Sequence, residues 1–247
     1  MSSAERLRAD LDQAIADTDS GLSVADRLCH ACVSVLGVDG AAISLVHEGA
    51  IQGTFGSSSE LSRRLDGLQF TFGEGPCLDA VLSRRPVLVP DLQHQRERRW
   101  PVYAGAVLEA GVRAVFALPV ALATLPIGAL DLYRHEPGSL GEDGLVGGLL
   151  AAEFAALPLL DLVSANTADE RDGHADVGWD ELAALERVEV YQATGMIMAQ
   201  LDVGPDEALV RLRAHAFAQG MTASDVAWAI IERRLVLDVD TPWGPHE

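Results

Sequence analysis

The sequence predicts an α+β domain, a central antiparallel sheet with flanking helices, followed by an all-α unit of three helices. Three observations lead there. Between residues 40 and 133, short apolar runs bounded by turn signals alternate with helical patterns. From Glu186 to Leu235, three amphipathic segments follow one another, each closed by a turn signal. Between these regions Ser164 to Gly178 (SANTADERDGHADVG) is polar, acidic and without an apolar period. It reads as a linker, or in part as a helix joining the two units. A length of 247 residues suits two domains. The expected divisions are an N-terminal helix over 1–19, the α+β domain over 20–163, the linker over 164–178 and the three-helix unit over 179–240.

Composition narrows the chemistry. Hydrophobic residues make up 49% and mean hydropathy is +0.16, enough for packed cores rather than disorder. The net charge of −19 opposes general attraction to DNA or anionic lipid, so any nucleic-acid contact must come from a local basic patch. All 18 cations are arginine, which excludes Schiff-base and P-loop lysine chemistry. Three cysteines do not make a disulfide framework, and a reducing cytoplasm fits them. Charges throughout residues 1–18 do not read as a signal peptide. The uncharged run from Ala114 to Leu130 is broken by Pro119 and Pro126, so it reads as two buried strands and not as a membrane span.

In chain order, Ser2-x-x-Glu5 is a capping-box signature and Leu7, Leu11 and Ile15 mark one apolar stripe. Such a stripe fits a dimer helix or packing on its own domain, with neither favoured. A helix from about Ser23 to Leu36 turns Leu28, Cys29, Cys32, Val33 and Leu36 inward and leaves His30 exposed. Cys29-His-Ala-Cys32 has the pattern of a ligand or redox motif, which Cys77 could join in space, but it lacks the remaining zinc ligands. Buried core is the better account. Gly40 to Val46 and Ile51 to Phe55 are strands joined by a hairpin-like turn. Ser57 to Asp66 reads as a short helix and Leu68 to Phe72 as an extended piece with alternating apolar residues. In Gly73-Glu-Gly-Pro-Cys-Leu-Asp-Ala80, glycines and a proline form a tight loop into a helix. Residues 86–90 form a strand, Trp100 to Ala110 a helix, and Val112 to Leu122 with Leu125 to Tyr133 the closing strand pair. A helix over Gly141 to Leu162 places Leu145, Leu149, Ala152 and Ala156 on one face.

The three-helix unit opens with Leu182 and Leu185 and continues through Val190, Ala193, Ile197 and Leu201 at helical spacing. Gly204-Pro205 ends this helix and starts the next, which carries Ala208, Leu212 and Ala216 on one face and stops at Gly220. Thr222-Ala-Ser-Asp225 resembles a capping box with Asp in place of Glu, ahead of Val226, Ile230 and Leu235.

Gln192-Ala-Thr-Gly195 with Met198, then Ala208, Leu212-Arg213-x-x-Ala216 and Val226-Ala227, resembles the ANTAR domain over about Leu182 to Leu235. The resemblance implies a three-helix RNA-binding module that grips paired hairpin loops in nascent mRNA and so blocks terminator formation. Thr194 stands where that family usually has lysine, and brings no charge. Arg211 and His215, four apart, share a helix face, with Arg213 to one side. The candidate RNA-binding residues are Arg187, Gln192, Thr194, Arg211, Arg213 and His215. Five arginines stand against eleven acids in this unit, which argues instead for a solvated face.

The preceding order of helices around five or six mostly antiparallel strands resembles the GAF sensor fold. Gly73 to Ala80 is similar to a segment of GAF domains joined to ANTAR domains. That resemblance implies a regulatory domain with a pocket for an unidentified small molecule. Cys77, Asp79, His94, Trp100 and Tyr103 are the ligand-binding candidates. No cofactor is identified. Haem ligation by His30, His47, His94 or His135 is not favoured by their spacing, and a visible absorbance scan would decide it. No Gly-x-Ser-x-Gly elbow, His-Glu-x-x-His helix or dinucleotide loop points to catalysis. The expectation is a cytoplasmic homodimeric antitermination regulator, non-enzymatic and without a membrane partner, that binds RNA hairpins in mRNA leaders. The alternative is a sensor and dimerisation protein whose three-helix unit no longer binds RNA.

Overall fold

The computed structural model describes residues 3–16, 21–47, 50–156 and 187–237. The linker expected over 164–178, and Leu182 and Leu185, lie outside them. Five antiparallel strands form one sheet in the order β2-β1-β5-β4-β3. They are β1 (Gly40–His47), β2 (Ala50–Ser57), β3 (Val87–Val89), β4 (Ala114–Leu122) and β5 (Leu125–Arg134). The uncharged run is thus the β4–β5 hairpin, paired from Ala114 with Arg134 to Leu122 with Leu125. Among the described residues no helix is long and apolar enough to cross a membrane.

Strand alternation divides the sheet into two buried faces. On one face Ala41, Ile43, Phe116, Leu118, Leu130 and Leu132 pack with α1 (Ser3–Ala16), α2 (Gly21–Leu36) and α6 (residues 142–156). Leu7 of α1 is fully buried in this core, so at that position the helix packs on its own domain. The side chains of Leu11 and Ile15 lie outside the described residues. Leu149, expected inward, is exposed. The approach is made through Gly148, where a Cβ would stand 2.5 Å from Leu118, and through Ala151, Ala152, Ala155 and Ala156.

The other face carries Ala42, Val115, Ala117 and Tyr133 under α3 (Glu60–Phe72), α4 (Pro76–Ser83) and α5 (Pro101–Glu109). Cys29 and Cys32 belong to the first face and Cys77 to the second, so the sheet separates them. Here one expectation is corrected. Leu68 to Phe72 is not extended; it is the second half of α3, which runs from an N-cap at Ser59 to a C-cap at Gly73. The alternation arises because both sides of this helix are covered. Leu65 and Leu68 face the sheet, while Phe70 packs against the C-terminal helices.

Those helices are α7 (Val188–Leu201), α8 (Pro205–Ala218) and α9 (Ala223–Ile231). Val190, Ala193, Ile197, Ala208, Leu212, Ala216, Val226 and Ile230 form their common core. The Thr222–Asp225 capping box is formed in both directions and secures the start of α9. The module seats on α3. Phe72 meets Phe217 edge to face at 5.9 Å. The Ala223 N–H, an orphan donor at the first turn of α9, donates to Thr71 Oγ1 at 2.9 Å.

Leu7→Ala is expected to cost about 2–5 kcal/mol, as for other fully buried leucines. A fall in the urea midpoint at unchanged hydrodynamic size checks it, and a shift to smaller species would instead reveal α1 as a dimer helix.

Candidate functional sites

A line of polar side chains runs through the second face of the sheet. Ser44 of β1 and Thr54 of β2 both donate hydroxyl hydrogens to the carboxylate of Asp66, which is fully buried on α3. One turn later Gln69 bridges two further groups. Its Nε2 donates to Asp131 Oδ2 at 2.6 Å, and its Oε1 accepts from the Cys77 N–H at 2.9 Å. Tyr133 Oη reaches the same Asp131 oxygen at 3.4 Å.

The Gly73–Ala80 segment builds this arrangement residue by residue. Gly73 caps α3 in a left-handed conformation. Glu74 Oε1 accepts the N–H groups of Val102 and Tyr103 at 2.8 and 3.0 Å, which caps α5 from outside. Gly75, at φ 151°, leaves the space occupied by the Gln69 side chain; a Cβ there would stand 2.2 Å from Gln69 Oε1. Pro76 opens α4 and sets Cys77 into the interior.

The electrostatics of the cluster are set by burial. Desolvation, then the nearby Asp66 charge, push the Asp131 carboxyl up to about 8, so it is largely protonated at neutral pH. The thiol of Cys77 and the phenol of Tyr103 are raised for the same first reason. Asp131 Oδ1 and Tyr103 Oη are buried without a hydrogen-bond partner. Unpaired buried groups of this kind cost about 1–3 kcal/mol each and fit a site that a small polar molecule or water completes.

Of the ligand candidates, Cys77 and Tyr103 lie at this cluster, and Trp100 meets Tyr103 edge to face at 6.5 Å. Asp79 faces outward to Arg99 at 4.0 Å, and His94 is exposed in the loop before α5. Sequence reasoning missed Ser44, Thr54, Asp66, Gln69 and Asp131. An aspartate within the apolar run of β5 was the available signal. His30 and His135 are exposed, and the side chain of His47 lies outside the described residues. No cluster of three or more metal-binding side chains occurs among the described residues.

The second site lies on the three-helix module. Arg187, the left-handed N-cap of α7 at φ 49°, is buried. Its Nη2 lies 3.4 Å from Asp66 Oδ2 and its Nη1 donates to Ser224 Oγ at 3.1 Å. Arg213 of α8 is half-buried. Both guanidiniums lie over the ring of Phe70, each 4.5 Å from its centroid. Thr194 is buried and donates its hydroxyl to the Val190 carbonyl at 2.7 Å. Gln192 is exposed, Arg211 pairs with Glu207 at 2.7 Å, and His215 is half-buried on the Arg211 side. Tyr191, 61% exposed and next to Gln192, was not among the expected residues.

Comparison with known proteins agrees with this architecture. The GAF domain model matches residues 23–156. The chain belongs to the GAF family. The ANTAR domain model matches residues 181–231, so the C-terminal helices are its ANTAR region. No protein of curated function gives a match. Among solved structures, the GAF domain of a phosphoenolpyruvate-protein phosphotransferase from Coxiella burnetii is 15% identical with a TM-score of 0.53, over 68% of this chain and 98% of that one. The corresponding GAF domain from Acinetobacter is 13% identical with a TM-score of 0.50, over 67% and 97%. The free methionine-R-sulfoxide reductase from Neisseria meningitidis, solved with its substrate, is 15% identical with a TM-score of 0.50, over 66% and 91%. These likenesses show the GAF fold alone.

A carboxyl that keeps its proton to higher pH when folded stabilises the fold fully below the ordinary carboxylate range, and that contribution is lost as pH rises through about 8. Wild-type resistance to urea is therefore expected to decline from about pH 5 to pH 8. In the isosteric Asp131→Asn protein this decline should be absent, as equilibrium unfolding at several pH values checks.

Proposed function

We propose that this GAF–ANTAR chain is a signal-responsive antitermination regulator. Its ANTAR region binds hairpin loops in nascent mRNA, and a small molecule in the GAF domain controls that binding. The observation that carries the proposal is the open face of α7, where exposed Tyr191 and Gln192 stand within the ANTAR region that also carries half-buried Arg213 on α8. RNA loops are held by cations on phosphates, by amides reaching base edges and by aromatic faces under unstacked bases. Arg211 and His215 extend the same helix, and Arg187 assists when its guanidinium is free. The small molecule would complete the cluster of Asp131, Gln69, Cys77 and Tyr103. Trp100 forms one wall, while Asp79 on α4 and His94 in the loop before α5 take part only through a rearrangement of those segments.

The chain would act without catalysis. A reductase role of the kind named for a structural neighbour needs a reactive thiolate, yet burial pushes Cys32 up to about 12 and raises Cys29 and Cys77 as well. A cytoplasmic location, a homodimeric state and domain limits of 20–163 and 179–240 complete the proposal. A second role, dimerisation without RNA binding, draws support from buried Thr194 and Arg187.

Titration of the full chain with paired-hairpin RNA, against fully duplexed RNA as control, separates the two. Selective binding of the hairpins supports the regulator, and equal or absent binding leaves the dimerisation role. Arg213→Ala is expected to weaken hairpin binding and to reduce the slope of log K against log salt by about 1. An unchanged slope would remove Arg213 from the interface.

A further inference from the structure

Arg187 and Arg213 are the two ANTAR cations that converge on one aromatic ring, and that ring belongs to the GAF domain. Phe70 offers a flat apolar face to both guanidiniums, 4.5 Å from each. One turn earlier on the same helix, Asp66 offers a carboxylate to Arg187. A planar ring over a guanidinium, next to an anionic oxygen that pairs with it, is also what an unstacked nucleotide in an RNA loop presents. Resting on the RNA-binding role proposed above, we infer that α3 stands in for a nucleotide. Asp66 takes the place of a phosphate and Phe70 that of a base, so GAF-docked and RNA-bound states of the ANTAR region exclude each other.

Two further features fit two competing occupants. The Nε atoms of Arg187 and Arg213 are both buried without a hydrogen-bond partner, so α3 fills the site without satisfying its donors. A phosphate or a base edge brings acceptors that α3 lacks. The docked state also works against itself, since burial and the neighbouring Arg187 charge draw the Arg213 guanidinium below the ordinary arginine range. Beyond these, the module is held to α3 by the Phe72–Phe217 pair and by polar contacts. The polar contacts include the Thr71 bond to the Ala223 N–H and a 3.4 Å approach of Arg64 Nη2 to the Gly220 carbonyl.

The same helix supplies a route for the signal. Gln69 lies between Asp66 and Phe70 in sequence and joins α3 to Asp131 and Cys77. A ligand that takes over the Gln69 bonds acts directly on the helix carrying the mimic. It shifts the balance by its differential affinity for the two positions of α3.

The test fixes the docked state covalently in the full chain. A Cβ built at Gly67 lies 3.7 Å from Thr222 Cβ, within the range of a disulfide. The double variant Gly67→Cys, Thr222→Cys is oxidised, and its affinity is measured for an RNA with two adjacent hairpins bearing unpaired loops. The expected result is a loss of about tenfold or more on oxidation, recovered with dithiothreitol, which also shows that the fold survives. Phe70→Ala, with the native cysteines only, is expected to bind the same RNA about tenfold more tightly, as when a tenth of the wild type is open. An oxidised protein that binds as tightly as the reduced one overturns the mimicry and leaves the RNA-binding role standing. If neither wild type nor any variant prefers the hairpins to duplex RNA, that role falls and takes the mimicry with it.

Discussion

The buried carboxylate of Asp66 is the constraint around which the two domains are arranged. A charged group cannot be withdrawn from water unless hydrogen bonds and an opposite charge replace the solvent. Ser44 and Thr54 supply two hydroxyls from adjacent strands, and Arg187 supplies the cation from across the domain boundary. Removing one member of such a buried pair typically costs about 3–5 kcal/mol, because the other is left uncompensated. The demand fixes the strand register that points Ser44 and Thr54 toward α3. It also accompanies the left-handed backbone of Arg187, a conformation that costs a non-glycine residue about 1–3 kcal/mol.

From this follows the two-sided character of α3. The helix is a wall of the sensor core on one side and the seat of the ANTAR region on the other. Gln69 serves the first role, Phe70 and Thr71 the second, and Asp66 both. A helix with an exposed face can change its surroundings without affecting its neighbours. One buried on both faces transmits any displacement, since packed interiors are close to incompressible. Coupling between ligand and RNA therefore needs no long pathway. It needs one element whose position both sites bias.

The extent to which this was legible in the sequence follows from the same geometry. Elements with one covered face were read from their period, as for Val190, Ala193 and Ile197 in α7, and β4, buried on both faces, from its uncharged run. The second half of α3 was misread as extended because Leu68, Phe70 and Phe72 alternate. Leu68 and Phe72 pack with the sheet-side core and Phe70 against the C-terminal helices, so opposite faces are covered, which no single-face template can represent. Leu149 was placed inward by its helical spacing from Leu145, Ala152 and Ala156, whereas α6 approaches the sheet through Gly148 and alanines. At the sites, Arg213 was visible as a cation at the edge of an apolar stripe. Tyr191 was not, since an exposed aromatic next to Gln192 leaves no mark in the apolar period. Asp79 and His94 were grouped with Cys77 and Tyr103 by nearness in sequence, but helix phase turns Asp79 outward and the loop before α5 carries His94 to the surface.

The overall charge decides what kind of contact can matter. At −19 the chain repels a polyanion at long range, so affinity for RNA cannot come from a diffuse positive field. It must come from contacts short enough to escape screening, namely stacking and charge-assisted hydrogen bonds in a partly desolvated site. Those are also the contacts by which Phe70 and Asp66 engage Arg187 and Arg213. On the proposed reading, α3 occupies Arg187 and Arg213 until an RNA acceptor replaces it. Release then depends on exchanging one set of short-range contacts for another. In the proposed regulator, a ligand within the GAF domain would decide that exchange by its differential affinity for the two states.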